Sequence, residues 1–540
     1  MDNYRLKIIE DMKKIVIAAM ALGMILPAAA QDTYESGRLL DQDLNGTARY
    51  VGMGGAMEAL GADISTISTN PAGLGLIRHS QVSASFGFVS QKDVQKFDNL
   101  GKTNMSFDQA GFVYNVDFED PYLNFAFNYH KSRNFDQILN VADHQLRNAS
   151  LNGLTYSKYM NGKYRLEHDK NGFWGSASDG YRAYTYNQFD DLNVNGLYMG
   201  GVDDQGTYMV YNDADMYNFD RAHRGWINNF DFSISGSQSD RLYWGVTVGL
   251  KDVNYKGYSE YAERLNRLDE DGSVVDAGVV VYGDDRHIKG TGFDVTAGII
   301  VRPIENSPFR VGLSVATPTF YDLTSENYTE LCNRTVYADD PQNGDMFSVA
   351  EKYDFKYYTP WKFGVSLGHT IGQTLALGLS YQYTDYGATR NRVKDGYDAY
   401  GDEESYTDEP MKRNAEQVFK GVSTLKAGIE IKPVPVLAIR LGYNYVSAAY
   451  DENGYRDMSI NSLGAMYAST ADYVNWKDTN RFTCGLGFWA GRMNIDLAYQ
   501  YSVTNGVFHP FQAYDKSNVI STADVSNKRH QLLMTLGYTF

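Results

Sequence analysis

A chain of 540 residues with 43 Tyr, 26 Phe and 51 Gly but only 12 Pro favours pleated strands and glycine-bearing turns over helix. A net charge of −17 without a basic stripe argues against nucleic-acid binding, and two cysteines, Cys332 and Cys484, are too few for a disulfide scaffold and are expected as free thiols. A mean hydropathy of −0.42 excludes a bundle of membrane helices but not a membrane barrel, whose interior and loops are polar.

Residues 12–30 read MKKIVIAAMALGMILPAAA. Lys13 and Lys14 precede an apolar run from Ile15 to Leu26, and Pro27 with Ala28, Ala29 and Ala30 supplies a small-residue cleavage site. The run is too short to cross a hydrocarbon layer of ~30 Å as a helix, which needs ~20 residues. Residues 1–30 are therefore expected to be a signal peptide removed before Gln31, with Met12 as an alternative start. No later stretch reaches the ~18 apolar residues of a spanning helix.

Residues 31–81 do not alternate. They contain LNGTARYVGMGGAMEALGADISTISTNPAGLGL, with five glycines between Gly46 and Gly61. No strand precedes this run and its spacing is not that of a phosphate or dinucleotide loop.

From residue 82 onward, runs with a period of two dominate, the mark of strands. TLALGLSYQY sets Leu375, Leu377, Leu379, Tyr381 and Tyr383 against Ala376, Gly378, Ser380 and Gln382. HQLLMTLGYTF sets Leu532, Met534, Leu536, Tyr538 and Phe540 on one face. The pattern predicts strands near 82–90, 109–118, 122–130, 227–237, 241–254, 290–302, 309–319, 357–370, 374–386, 421–432, 436–447, 479–489, 493–503 and 529–540. Short links at 118–121, 237–240, 303–308, 371–373, 432–435 and 490–492 alternate with long ones, of which 131–226 is the longest. That is the topology of a transmembrane antiparallel β-barrel of about fourteen strands, with both termini at the short-turn, periplasmic end.

The facing of the strands follows from cost. Asp117, Asp231, Lys251, Asp294, Arg310, Lys362, Lys426, Glu430, Arg440 and Asp496 share the polar parity. A Lys or Arg turned to lipid at mid-membrane costs roughly 2–4 kcal/mol, so these residues are expected inside, paired or hydrated. A lumen of this size exceeds what wall side chains fill. Residues 31–81 are the available filling, with Met53, Met57, Leu60, Leu74 and Leu76 expected to line a dry pocket against the wall.

The segment GTARYVGMGGAMEALGADISTISTNPAGL at 46–74 resembles the N-terminal hatch of the FadL/TodX outer-membrane transport family, whose pattern runs G-x-A-x-x-x-G-M-G-G-A and later N-P-A-G-L. Gly46, Ala48, Gly52, Met53, Gly54, Gly55, Ala56, Asn70, Pro71, Ala72, Gly73 and Leu74 match it. The resemblance implies a bacterial outer-membrane channel for passive uptake of hydrophobic compounds, such as long-chain fatty acids or aromatic molecules. It implies hatch or gating roles for Gly46, Gly52, Met53, Gly54, Gly55, Asn70, Pro71, Ala72 and Gly73. The chain departs from the family in strand 122–130, which has no Gly or Pro to announce an inward kink, and in the length of 131–226.

The alternatives on the same barrel are a surface scaffold or secretion-system component, a haem receptor, and an outer-membrane hydrolase. The hydrolase needs Ser with His, or an Asp–His pair, converging at a rim, yet the nine histidines are dispersed and only His130 falls on an inward parity of a predicted strand. The expectation is therefore no enzyme, no cofactor and no metal site. Expected partners are the hydrophobic ligand, outer-membrane lipid and the barrel-assembly machinery, since the terminal Leu536, Tyr538 and Phe540 resemble the C-terminal signal which that machinery reads.

Overall fold

The computed structural model describes residues 32–117, 122–177, 184–398, 400–512 and 519–540. The expected signal peptide, Gln31 and the 118–121 link lie outside these. Alternation has the expected outcome: fourteen antiparallel strands pair in sequence and close on themselves. In chain order the wall consists of β1 (Gln81–Lys92), β2 (Thr103–Asp117), β3 (Tyr122–Asn134), β4 (Ala214–Gln238), β5 (Leu242–Leu268) and β6 (Val274–Val301). It continues with β7 (Arg310–Ala316, then Phe320–Thr335), β8 (Asp345–Tyr358, then Lys362–Ile371) and β9 (Leu375–Asp385, then Arg390–Tyr397). It ends with β10 (Gly421–Val434), β11 (Leu437–Val446), β12 (Tyr473–Ala490), β13 (Met493–His509) and β14 (Ala523–Thr539). Closure is made by β1 against β14, from Gln81 opposite Thr539 to Lys92 opposite Lys528.

The two breaks in β7 and β8 face each other at Thr317-Pro318-Thr319 and Thr359-Pro360-Trp361. Proline has no N–H to give the ladder, so it sits where pairing lapses. The third strand pairs without interruption, from Tyr122 to His130 on β2 and from Tyr122 to Lys131 on β4. The wall is continuous there, as its lack of Gly and Pro predicts.

Large apolar side chains of one parity are exposed around the wall, among them Phe125, Val246, Leu379, Leu441, Leu497 and Leu536. Nothing in a soluble protein would leave such a belt uncovered, so this is the lipid-facing band of a membrane barrel. Cys484 is exposed on it, and both cysteines are free. The other parity turns inward. Asp231, Lys251, Asp294, Lys426, Glu430, Arg440 and Asp496 are all buried in the lumen. Most pair there: Arg440 reaches Glu430 at 2.7 Å and Asp496 at 2.5 Å, and Lys251 reaches Asp294 at 3.2 Å.

The long links differ from the expectation of loops. β4, β5 and β6 run 25, 27 and 28 residues, more than twice the ~9–11 that cross a bilayer. The links at 255–289 and 320–356 are therefore mostly tall hairpins, and Cys332, which falls in the second of them, stands on a strand opposite Met346. Their inward faces stay apolar above the membrane because something roofs them. The roof is part of 131–226: the strand Gln137–Ala149 pairs with upper β4, and helices α1 (Leu151–Met160) and α2 (Gln188–Gly196) follow. α2 is fixed by a capping box between Asn187 and Asp190. It crosses the mouth, with Phe189 N–H donating to the Ala468 carbonyl at 3.1 Å and Gln188 Nε2 to the Val349 carbonyl at 3.2 Å. Under it, Phe189 and Leu192 pack with Leu331, Ala468 and Phe508.

Glu263, on the part of β5 above the membrane, is buried in this roof. It accepts hydrogen bonds from Tyr261 Oη at 2.9 Å and from Leu151 N–H at 3.0 Å. Desolvation nonetheless pushes its carboxyl up from 4.5 to about 8. The folded roof thus binds this proton more tightly than the unfolded chain. Its stabilising effect is complete below about pH 4.5 and is lost as pH rises through about 8. Proteolysis within 137–213 is expected to accelerate between about pH 6 and 9 in the parent and to stay level in Glu263→Gln.

At the other end, the Phe540 N–H donates to the Ser80 carbonyl at 2.9 Å and its ring meets Tyr538 at 5.1 Å on the lipid face. Phe540→Ala is expected to lower the amount of folded barrel recovered from membranes, measured as the heat-modifiable fraction.

Candidate functional site

Residues 32–80 lie inside the barrel. They form short turns of helix, because the sequence supplies a cap at each: Asp32, Thr47, Asp63 and Asn70 each accept from a backbone N–H two or three residues on. The lower part, 48–77, touches every strand from β2 to β14. Ala48 N–H donates to Thr535 Oγ1 on β14 at 2.7 Å, Val51 packs on Ala498 of β13, and Gly52 lies against Gly485 of β12. Leu60 accepts from Arg310 on β7 at 2.9 Å, Ile67 from Thr247 on β5 at 2.8 Å, and Leu74 from Asn124 on β3 at 2.7 Å. Two ion pairs lock it further: Arg49 with Glu430 at 3.1 Å and Glu58 with Lys426 at 2.6 Å.

The wall makes room for this by omitting side chains. Gly368, Gly378, Gly428 and Gly442 are mutual cross-strand partners on β8, β9, β10 and β11. They form one smooth strip of inner wall, and the segment from Met53 to Leu60 lies directly on it. A Cβ on Gly378 would stand 1.9 Å from the Ala56 carbonyl oxygen, and one on Gly428 2.3 Å from that of Met53. These are backbone-to-backbone contacts that any side chain would forbid. Gly245 does the same for Pro71, and Gly298 with Gly312 forms a notch for the Asn70 amide.

The residues singled out between Gly46 and Gly73 therefore gather in one place inside the barrel, with varied work. Gly46, Gly54 and Gly55 have positive φ of 142°, 63° and 79°, which explains their type. Met53, Met57 and Leu60 form the segment's own small core with Leu44 and Tyr50. Gly73 packs on Thr66, and Ala72 beside Tyr243 and Ile300. Asn70 Oδ1 caps Ala72 N–H at 3.2 Å, while its Nδ2 is buried without a partner.

Among the described residues, the side chains expected to line a dry pocket beside the segment are packed instead. Its apolar side chains are consumed in its own core and on the wall, with Leu74 packed among Ile64, Ile67 and Val113 and Leu76 against Tyr243. The space above it is a polar cavity of about 230 Å³, lined by groups such as Asp43, Asp231, Lys251, Lys362, Lys426 and Arg481. His130, expected from its parity to face inward, lines it and lies 3.1 Å from Asp231, and a second histidine, His223 on β4, is buried higher up against Tyr255.

Higher still, the lumen turns aromatic. Tyr255, Tyr321, Tyr353, Phe355, Tyr357 and Tyr386 are buried in one cluster with many others. Into this cluster the chain inserts its own residues 32–40. Tyr34 stacks on Tyr450 at 5.4 Å and 11°, lies 4.9 Å from Tyr473, and donates to Asn475 at 2.8 Å. Burial raises the Glu35 carboxyl above its usual range, and Arg286 opposes that most strongly. So the described N-terminal stretch sits in the long-loop half of the lumen, whereas Phe540 lies at the short-turn end where both termini were expected. Sequence reasoning missed the upper site, because its residues are neither periodic nor close in sequence. It also missed the glycine strip, although all four glycines sit on the polar parity of predicted strands.

Among the described residues no helix is long and apolar enough to cross a membrane, and no three metal-ligating side chains converge. No protein-family model and no curated protein matches the chain. Solved structures similar to it include the Ralstonia pickettii toluene transporter TbuX, at 13% identity and a TM-score of 0.48, over 92% of this chain and 99% of that one. The Pseudomonas putida toluene transporter TodX is similar at 12% identity and 0.47, over 92% and 99%. A Pseudomonas aeruginosa FadL homologue is similar at 10% identity and 0.48, over 95% and 100%.

Placing a side chain in the glycine strip should unseat the segment while leaving a stronger strand. Gly378→Val and Gly428→Val are expected to insert and remain heat-modifiable, and to raise single-channel conductance at least several-fold over the parent. Unchanged conductance in both would show that the strip does not hold the segment.

Proposed function

We propose that this protein is an outer-membrane channel for passive uptake of hydrophobic compounds, in which residues 32–80 act as a hatch. One observation carries the reading: a segment that touches the wall from β2 to β14 closes the lumen below a polar cavity, and above that cavity the lumen is lined with buried aromatic rings. The matched motif at 46–74 supports it. Apolar ligands leave water for such a surface with a gain of roughly 25 cal/mol per Å² buried. A lumen open at both ends would be water-filled and would offer no such gain, so the same protein needs both the roof and the hatch.

Within this reading Gly46, Gly52, Gly54, Gly55 and Gly73 let the hatch bend and lie close to the wall, Met53 fills its core, and Asn70, Pro71 and Ala72 latch it to β5, β6 and β7. Gating is a shift between seated and unseated states, driven only by what the ligand binds better. The terminal Leu536, Tyr538 and Phe540 serve insertion by the barrel-assembly machinery and play no part in transport. Fatty acids and aromatic molecules are both substrates the aromatic cluster would admit.

Deletion of 46–74, with insertion confirmed, is expected to raise ion conductance strongly and to abolish saturable uptake of a labelled fatty acid or toluene into liposomes. Asn70→Ala is expected to change uptake alone. Normal conductance and uptake in both would remove the hatch and leave the scaffold reading.

A further inference from the structure

Residues 32–38 fill a pocket built by other parts of the chain, and its chemistry is specific. Two guanidinium groups converge on one carboxylate. Glu35 Oε2 is bound by Arg286 from β6, and Glu35 Oε1 by Arg456 from the β11–β12 link at 3.1 Å. Both arginines are almost fully buried, at 2% and 3% exposure. They are positioned by their own neighbours. Ser469 accepts from Arg286 and donates to Asp284 at 2.5 Å, and Arg456 donates to Thr470 Oγ1 at 2.8 Å and to the Asp472 carbonyl at 3.1 Å. Beside them Tyr450 and Tyr473 flank the Tyr34 ring, with Phe419 behind Tyr450 and Asn475 at the Tyr34 hydroxyl.

We infer that Tyr34 and Glu35 are a tethered stand-in for a ligand, and that the pocket they occupy binds a small aromatic carboxylate. A carboxylate held by two arginines on separate elements is the geometry of anion recognition, and a flat ring between tyrosines is that of aromatic recognition. The charge left behind agrees. With residues 32–38 withdrawn, Asp32, Glu35 and Arg38 leave, and the wall keeps Arg221, Arg286 and Arg456 against Asp284 and Asp472. Three cations against two anions is an excess of one, which matches a monocarboxylate. The occupying helix is only five residues long, and residues 41–45 that tether it run without regular structure. It can leave as a unit without unseating the hatch below. A tether of this kind competes at an effective concentration on the order of mM, so the parent binds free ligand weakly until that competitor is weakened.

This inference rests on the uptake reading for its use, but its test does not. Full-length protein in detergent is titrated calorimetrically with sodium phenylacetate. The variant Tyr34→Ala/Glu35→Gln, still heat-modifiable, is expected to bind at least ~10-fold tighter than the parent, since its competitor is gone. Adding Arg286→Gln to that variant is expected to cancel the gain. In the parent, saturating phenylacetate is expected to speed tryptic cleavage after Arg38, and toluene or hexanoate is not. No gain in the inserted variant, a gain that survives Arg286→Gln, or an equal gain with hexanoate overturns the assignment. Liposome uptake is measured separately, so a barrel that binds phenylacetate yet transports nothing would refute the channel and leave the pocket standing.

Discussion

The contact on which this molecule depends is backbone against backbone: the segment Met53–Leu60 lying on a strip of four glycines that are cross-strand partners on adjacent strands. A barrel of fourteen strands has an interior too wide for wall side chains to fill. Filling it with a folded insert requires the insert's carbonyl groups to approach the wall at van der Waals distance. Glycine permits that approach, at the cost of weakening the strands that carry it. The in-register arrangement concentrates that cost in one place and gains a surface on which the insert has only one way to sit.

The charged lumen follows from the same arrangement. Lipid forbids ions on the outer face, so Asp231, Lys251, Asp294, Lys426, Glu430, Arg440 and Asp496 face inward, where water is scarce once the insert is seated. An isolated buried charge is costly, and breaking a buried pair by removing one member typically costs 3–5 kcal/mol. The wall and insert therefore share their charges, with Arg49 completing Glu430 beside Arg440 and Asp496, and Glu58 completing Lys426. These pairs add orientation to a contact that glycine alone would leave slippery. Above them the lumen divides into a polar cavity and an aromatic one. Residues 32–40 stand in the aromatic part and residues 48–77 below the polar one, so the two parts of the N-terminal segment occupy separate levels of the lumen.

Alternation in the sequence determined the strands, the inward parity of the ionisable residues and the lipid-facing belt, because the hydrocarbon layer imposes a period of two on every membrane strand. It also marked 46–74 as the material inside, since only that stretch was apolar, glycine-rich and without period. Tertiary structure alone decided the rest. Gly378 reads as one more small residue on a polar face until its partners on β8 and β10 prove to be glycines too, and register is a property of pairing that no single strand carries. Met53, Met57 and Leu60 read as pocket lining, but folding turned them on one another. Arg286 lies 251 residues from Glu35, and Arg456 lies 421 residues away. They meet because tall hairpins and the β11–β12 link close over the mouth. Such a site leaves no trace in local pattern, because the forces that assemble it act only after the barrel has brought those elements together.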